Sequence, residues 1–259
     1  MSNISDKAEI SPKAKIGNNV TIYPFAYIED GVVIGDNCII YPFSSILRGT
    51  TMGENNRVHQ GAVIGAIPQD FNFKGDETKL EIGDNNVIRE NVVINRATFP
   101  DGMTKIGNGN WIMEGVHISH DVVIGNDGVF GYGTKIGGNC EIFNRVIFSS
   151  AVIANPKTRV GSEAMISSGT RFNRDVPPYI VCTGDPAHYG GINGTMLSAR
   201  GIEEKIQNHI ANAYRLIFHG QTSVFDAVLQ VEQQVPDGHE IRNIIRFMKA
   251  TQLGVIGKD

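Results

Sequence analysis

The chain has 259 residues, with 23 basic against 27 acidic side chains and a formal net charge of −4, a balance that argues against non-specific nucleic-acid binding, which rests on a strong excess of Lys and Arg. Hydrophobic residues at 41% suffice for a packed core and argue against disorder over most of the length. No apolar run approaches the ~18 residues of a membrane span, and the opening MSNISDKAEISPKAKIG lacks the apolar stretch of a secretory signal. Cys38, Cys140 and Cys182 form no close pair and no CxxC, which disfavours a disulfide scaffold or a zinc finger and suits a reducing cytoplasm.

The 30 glycines do not recur at every third position, so they serve turns rather than a collagen helix. What does recur is a period of six. From Ile10 to Phe172 every sixth residue is apolar except Asp70, Asp76 and Pro100. Six is neither a helical period nor that of a plain strand. It suits a parallel β-helix of triangular cross-section, with a short strand on each side and a turn at each corner. The sixth residue points into the prism, and so does the residue two before it, by the alternation of a strand. That second position is mostly small or branched, as at Ala14, Val20, Ala26, Val32, Cys38 and Ser44. The corners call for backbone with φ > 0, and Gly or Asn stands there, as in Gly17-Asn18-Asn19 and Gly35-Asp36-Asn37. Eighteen residues per coil gives about nine coils, whose stability is a sum over stacked neighbours.

Two segments leave the pattern without losing its phase, 66–79 (AIPQDFNFKGDETK) and 96–105 (RATFPDGMTK). Loops thrown out of a regular solenoid are more often functional than structural. Near Asn173 the repeat ends in Asp175-Val176-Pro177-Pro178-Tyr179, where two prolines remove two ladder donors. We therefore divide the chain into a β-helix over 1–193 and a helical region over 194–259. In the second, Ile202, Ile206, Ile210, Ala213 and Ile217 mark an amphipathic helix ended by His219-Gly220. Ser223 with Asp226 resembles a capping box for a second helix to about Val235. A third helix runs from about Asp237 to Leu253. Arg242, Arg246 and Lys249 share a face of it, either a solvated face or a patch for an acidic partner.

The most unusual polar cluster is His117-Ile118-Ser119-His120-Asp121. Ile118 is in the inward register, so His117 and Ser119 point outward and His120 lies at the next corner. A histidine there can take a proton from a hydroxyl at neutral pH, and a neighbouring acid can orient it. Spacing alone leaves a pair of solvated surface histidines equally open.

Taken together, the hexapeptide repeat, the insertion after Ile64 with its Pro68-Gln69-Asp70, the HxxHD run, DVPPY and the helical tail resemble the acyl-(acyl-carrier-protein)–UDP-N-acetylglucosamine O-acyltransferase family over essentially the whole chain. The repeat alone is a weak signal shared by many acyltransferases; the combination is specific. The resemblance implies a mainly β fold, a left-handed parallel β-helix of hexapeptide repeats followed by C-terminal helices. It also implies transfer of an (R)-3-hydroxyacyl group from acyl carrier protein to the 3-hydroxyl of UDP-N-acetylglucosamine, the first step of lipid A synthesis. By that resemblance His120 is the general base, Asp121 its support and the Gly138 N–H the oxyanion donor. Gln69 and Asp70 match the loop that grips the glucosamine, His117 matches another substrate-contacting position, and Asn193 and Arg200 match residues near the nucleotide. The resemblance implies a cytoplasmic homotrimer with sites between subunits and no metal or organic cofactor.

The chain also departs from the family's pattern. Asn139, Asn155 and Asn95 stand where histidines are common, Pro156 replaces a glutamine and Asn72 a lysine. These changes motivate the alternative of a non-catalytic or altered-specificity paralogue that binds a sugar nucleotide. A sister N-acyltransferase is disfavoured because repeats begin at Ile10, with no room for a uridine-binding domain before them. A β-helical carbonic anhydrase would need three histidines on zinc, and His59 lies several coils from His117 and His120. Acetyl-CoA-dependent hexapeptide transferases are a further alternative.

Overall fold

The structure is a computed structural model that describes residues 2–220 and 222–257. The sixfold residue forms the column expected of it. Ile22, Ile40, Val58, Ile88, Ile112, Phe130 and their counterparts on the other two faces are at most 2% exposed. The residues two before them, including Val20, Ala26, Val32, Cys38, Ser44 and Thr50, are buried beside them. One aliphatic column and one narrow column thus fill each side of the prism. At about 1.5–3 kcal/mol for each fully buried aliphatic side chain, they hold the stack together without disulfides. In the later coils Phe130, Phe148 and Phe172 stack along the axis, with centroids 5.4 and 6.3 Å apart.

Most strands are two residues long, because the chain turns a corner every six. Among the described residues they form three faces of eleven, nine and eight strands, parallel throughout except for the last strand of the first face. The first face holds Thr21–Ile22 and Trp111–Ile112, the second Tyr27–Ile28 and His117–Ile118, the third Val33–Ile34 and Val123–Ile124. Partners are eighteen residues apart in a regular coil, as Thr21 with Ile39. They are thirty apart across the first excursion, Arg57 with Val87, and twenty-four across the second, Val87 with Trp111. Both excesses are multiples of six, which is why the apolar column keeps its phase through Asp70, Asp76 and Pro100.

The corners differ from expectation in one respect. The left-handed residue is the third after each inward residue, so Asn19, Asn37, Asn55 and Asn85 carry φ of 55–60°. Gly17, Gly35 and Gly53, which open those corners, are not left-handed. A Cβ on Gly17 would meet the Asp36 carboxylate at 2.4 Å and the Gly35 carbonyl carbon at 2.8 Å. They are glycine because successive coils pass too closely for a side chain.

Beyond the coils, strand Ile180–Thr183 joins the first face and pairs antiparallel with His188–Ile192. Four helices follow: α1 (Gly194–Ala199), α2 (Glu204–His219), α3 (Val224–Gln234) and α4 (His239–Lys249). The Ser223 hydroxyl caps α3 by accepting from the Asp226 N–H. The short α1 was not legible as a helix. It is capped by Asn193, whose side chain accepts from the Met196 N–H. Arg159 ties the helices to the coils: its guanidinium lies over Phe143 and Phe247, and its backbone N–H donates to the buried Asp175. The Arg242, Arg246 and Lys249 face is solvent-exposed. It lines a groove of about 580 Å³, where Arg242 pairs with Asp237 and Lys249 with Glu232.

Candidate active site

The corner between the second and third faces carries the unusual chemistry. Strand His117–Ile118 ends there, and the chain turns through Ser119, His120 and Asp121, the last with φ 58°. A left-handed aspartate costs less than most side chains at such a corner. The turn lays the His120 ring over the next coil. A Cβ on Gly138 would fall 2.5 Å from His120 Cε1 and 2.6 Å from Nε2. Gly138 is therefore the residue that makes room for the ring. Its carbonyl accepts from the Lys157 N–H, while its own N–H has no partner among the described residues.

His120 sits between two carboxylates. Nδ1 is 2.9 Å from Asp121 Oδ2 and Nε2 is 3.4 Å from Asp70 Oδ2, with the His120 side chain only 13% exposed. Asp121 is itself fixed. Its Oδ2 accepts from the Thr98 N–H at 3.1 Å, and its own N–H donates to Thr104 Oγ1 at 2.8 Å. A held carboxylate on Nδ1 leaves Nε2 as the basic nitrogen of a neutral ring. Asp70 arrives from the first excursion. The Asn72 N–H and side-chain amide both donate to its Oδ1, at 2.7 and 2.9 Å. The Asn72 N–H, and then the nearby His120, hold the Asp70 carboxyl below its usual range. Asn72, which stands where a lysine is common, thus locks the acid in place instead of adding charge.

His117 lies on the same face, one residue before the inward Ile118. Burial, then nearby Lys135 and His120, push its pKa below the ordinary histidine value, which favours the neutral ring. Gln69 is exposed beside Asp70. Two of the other departures make structural contacts in this chain. The Asn139 N–H donates to the His120 carbonyl, and the Asn95 amide donates to the Ile67 carbonyl at the root of the first excursion.

Asn193 and Arg200 are not at this corner. Both surround the buried Glu163, at the corner between the third and first faces. The Asn193 amide donates to the Glu163 carbonyl at 2.9 Å, while Arg145 and Arg200 both reach Glu163 Oε1. The expected sugar and nucleotide contacts thus form two groups on different corners of one chain. His59 is on the remaining corner, stacked on Tyr41 at 4.4 Å and 3.4 Å from Glu90, so the three histidines of a zinc enzyme do not converge. Sequence reasoning missed Thr98 and Thr104, which fix Asp121, because nothing local marks a backbone N–H in an excursion or a hydroxyl in a neighbouring strand as the partner of a residue 23 or 17 positions away.

Comparison with known proteins places the whole chain in a family. Residues 13–48 and 103–138 match the bacterial transferase hexapeptide family (six repeats), and residues 175–256 match domain 2 of Udp N-acetylglucosamine O-acyltransferase. The acyl-(acyl-carrier-protein)–UDP-N-acetylglucosamine O-acyltransferase of Alkalilimnicola ehrlichii is 38% identical over 99% of this chain and 100% of its own. That of Xylella fastidiosa is 41% identical over 96% and 95%. A crystal structure of a UDP-N-acetylglucosamine acyltransferase from Bacteroides fragilis superposes with a TM-score of 0.95 at 47% identity, covering 97% of this chain and 99% of that one. The repeats and their match make the protein a hexapeptide-repeat acyltransferase with a left-handed β-helix. Similarity on this scale along the whole length goes further: the chain belongs to the UDP-N-acetylglucosamine O-acyltransferase family. Its coil is then an exception to the right-handed rule for parallel crossovers. Among the described residues no helix is long and apolar enough to cross a membrane.

Proposed function

We propose that the protein transfers an (R)-3-hydroxyacyl group from acyl carrier protein to the 3-hydroxyl of UDP-N-acetylglucosamine, the first step of lipid A synthesis, in the cytoplasm. The observation that supports the reading is the His120 ring, held by Asp121 on Nδ1, with Nε2 turned to Asp70 and the ring packed over Gly138, whose N–H has no partner among the described residues. The sugar hydroxyl donates to Nε2, and Asp70 accepts a neighbouring sugar donor, which fixes the pose. Gln69 and His117 add hydrogen bonds to the sugar. As the hydroxyl oxygen attacks the thioester carbon, its proton passes to Nε2. The imidazolium so formed lies between two carboxylates, and the Gly138 N–H accepts the growing negative charge by donating to the carbonyl oxygen. Collapse breaks the C–S bond, and the departing thiolate takes the proton from Nε2. One C–O bond has formed, one C–S bond has broken, and no cofactor enters.

Asn193 and Arg200 belong to the nucleotide side of the site in this reading. Because they stand on another corner from His120, a complete site draws them from a neighbouring copy, which supports a homotrimer with sites between subunits. The test is acyl transfer to UDP-N-acetylglucosamine from a ladder of (R)-3-hydroxyacyl carrier proteins, beside His120→Ala. Turnover that peaks at one chain length and falls by about 10²-fold or more in the variant supports the reading. No turnover from any donor, with nucleotide binding retained, overturns it in favour of a binding scaffold.

A further inference from the structure

We infer that Arg96 is a positioning residue of this site, one that acts through the first excursion to hold Asp70 against His120. The inference rests on the proposed role of Asp70 and extends it to a residue that touches no substrate. Arg96 is 7% exposed and makes no direct ion pair among the described residues; the Glu29 carboxylate acts on it only from across the adjoining cavity. A guanidinium buried without a carboxylate is costly unless its donors are otherwise used. They are used on the excursion. Nε donates to Thr78 Oγ1 at 3.1 Å, where the loop returns, and one terminal nitrogen donates to the Gly65 carbonyl at 3.3 Å, where it leaves. The guanidinium also lies 5.5 Å from the ring centroid of Phe73, three residues past Asp70. One side chain therefore grips both feet of the loop and its middle.

The grip matters because little else is beneath the loop. Between the excursion and the early coils is a cavity of about 840 Å³, lined by Ile67, Phe73 and Thr78 on one side and Leu47 and Arg48 on the other. Arg96 itself lines that cavity, and the loop is held over it by polar tethers at its ends. The neighbouring residues complete the device. Asn95 holds the Ile67 carbonyl, and Thr98 holds Asp121. The stretch 95–98 thus controls both carboxylates that flank His120, Asp121 directly and Asp70 through Arg96. Lysine cannot substitute, because it offers no planar fork for two separated acceptors and a ring face.

The experiment compares Arg96→Met, Arg96→Lys, Asp70→Asn and the double variant Asp70→Asn/Arg96→Met in the full chain. Amide hydrogen exchange reads the loop without reference to activity. In Arg96→Met, exchange at 67–78 rises about tenfold or more, while the coil strands stay protected as in the parent protein. Turnover of Arg96→Met falls by about 10- to 100-fold, as expected for a catalytic pose displaced by roughly 1 Å, and Arg96→Lys recovers little of it. In the Asp70→Asn background the same change at Arg96 costs less than about threefold, because both variants remove one function. Unchanged exchange over 67–78 overturns the tether. A loss that is the same in both backgrounds, with the loop loosened, overturns action through Asp70. If Asp70→Asn leaves turnover intact, the proposed role of Asp70 fails, and the exchange data still decide whether Arg96 holds the loop.

Discussion

Replacing Gly138 with alanine tests the site with one methyl group. Gly138 has no left-handed backbone to protect, so its conformation accepts an L side chain. The new Cβ would stand 2.5 Å from His120 Cε1 and 2.6 Å from Nε2. Ordinary contact between such atoms begins near 3.4 Å, so the ring must retreat by about 1 Å or rotate away. Either movement stretches the 2.9 Å contact with Asp121 and the 3.4 Å approach to Asp70. Misplacement of that size costs about 10²-fold in rate, equivalent to roughly 2.7 kcal/mol in the barrier. The strain falls on a corner side chain and not on the buried columns, so the fold loses about 1 kcal/mol or less. The assay pairs initial rates of acyl transfer at saturating sugar nucleotide with thermal unfolding. The expected result is a depressed kcat at a nearly unchanged Tm. A kcat within about twofold of the parent protein would refute the reasoning, because it would mean that the ring's place over Gly138 is not needed. A fall in kcat matched by a collapse in Tm would refute the claim that the effect is local.

Three further outcomes follow from the same coordinates. Asp121→Asn keeps the shape but removes the acceptor that fixes the His120 tautomer; kcat falls by about 10²- to 10⁴-fold with a smaller change in KM, measured by steady-state kinetics. In the buried ladder Asn56–Asn86–Asn110, Asn86 Oδ1 accepts from the Asn110 N–H and amide, and the Asn86 amide donates to Gly107. Asn86→Ala orphans these groups and costs about 1–3 kcal/mol in urea unfolding. Burial raises the Cys182 thiol and the Tyr179 phenol, each to about 12. Their folded-state values lie above the unfolded ones, so their contribution is complete below about pH 9 and is lost as pH rises towards 12. Stability therefore falls over that alkaline window, and Cys182→Ala reduces the steepness of the fall between about pH 9 and 12 in urea titrations at fixed temperature.

The site's reading places the catalytic work on few groups, and the surroundings explain how they are held. The excursions supply what a hexapeptide coil cannot. A coil offers one outward side chain per strand and short corners, so a carboxylate facing the Nε2 side of His120 has to come from a loop. The first excursion brings Asp70, with Asn72 fixing its carboxylate. The second brings the Thr98 N–H to Asp121. An excess of twelve residues in one and six in the other leaves the register of the coils intact, so the site is added without cost to the core.

The sequence by itself determined the prism. A strict alternation of inward Ile or Val with a small residue two before it, repeated every six, permits no other way to bury both columns, and it fixed the faces, the approximate number of coils and the outward place of His117 and His120. It also marked the two excursions by the breaks at Asp70, Asp76 and Pro100, and most of the helical tail by its amphipathic spacing and the Ser223 cap. Tertiary structure decided what depends on neighbours from other coils. Gly17 and Gly35 are glycine because the next coil passes within reach of a Cβ, and a single strand carries no mark of that. Asn193 and Arg200 meet the buried Glu163 at a distance of 30 residues or more in the chain. The contacts of His120 with Asp70, of Asp121 with Thr98 and of Arg96 with Gly65 and Thr78 join segments 18 to 50 residues apart. Periodicity reports which way a side chain points; only the stacking of coils and the path of a loop decide what it points at.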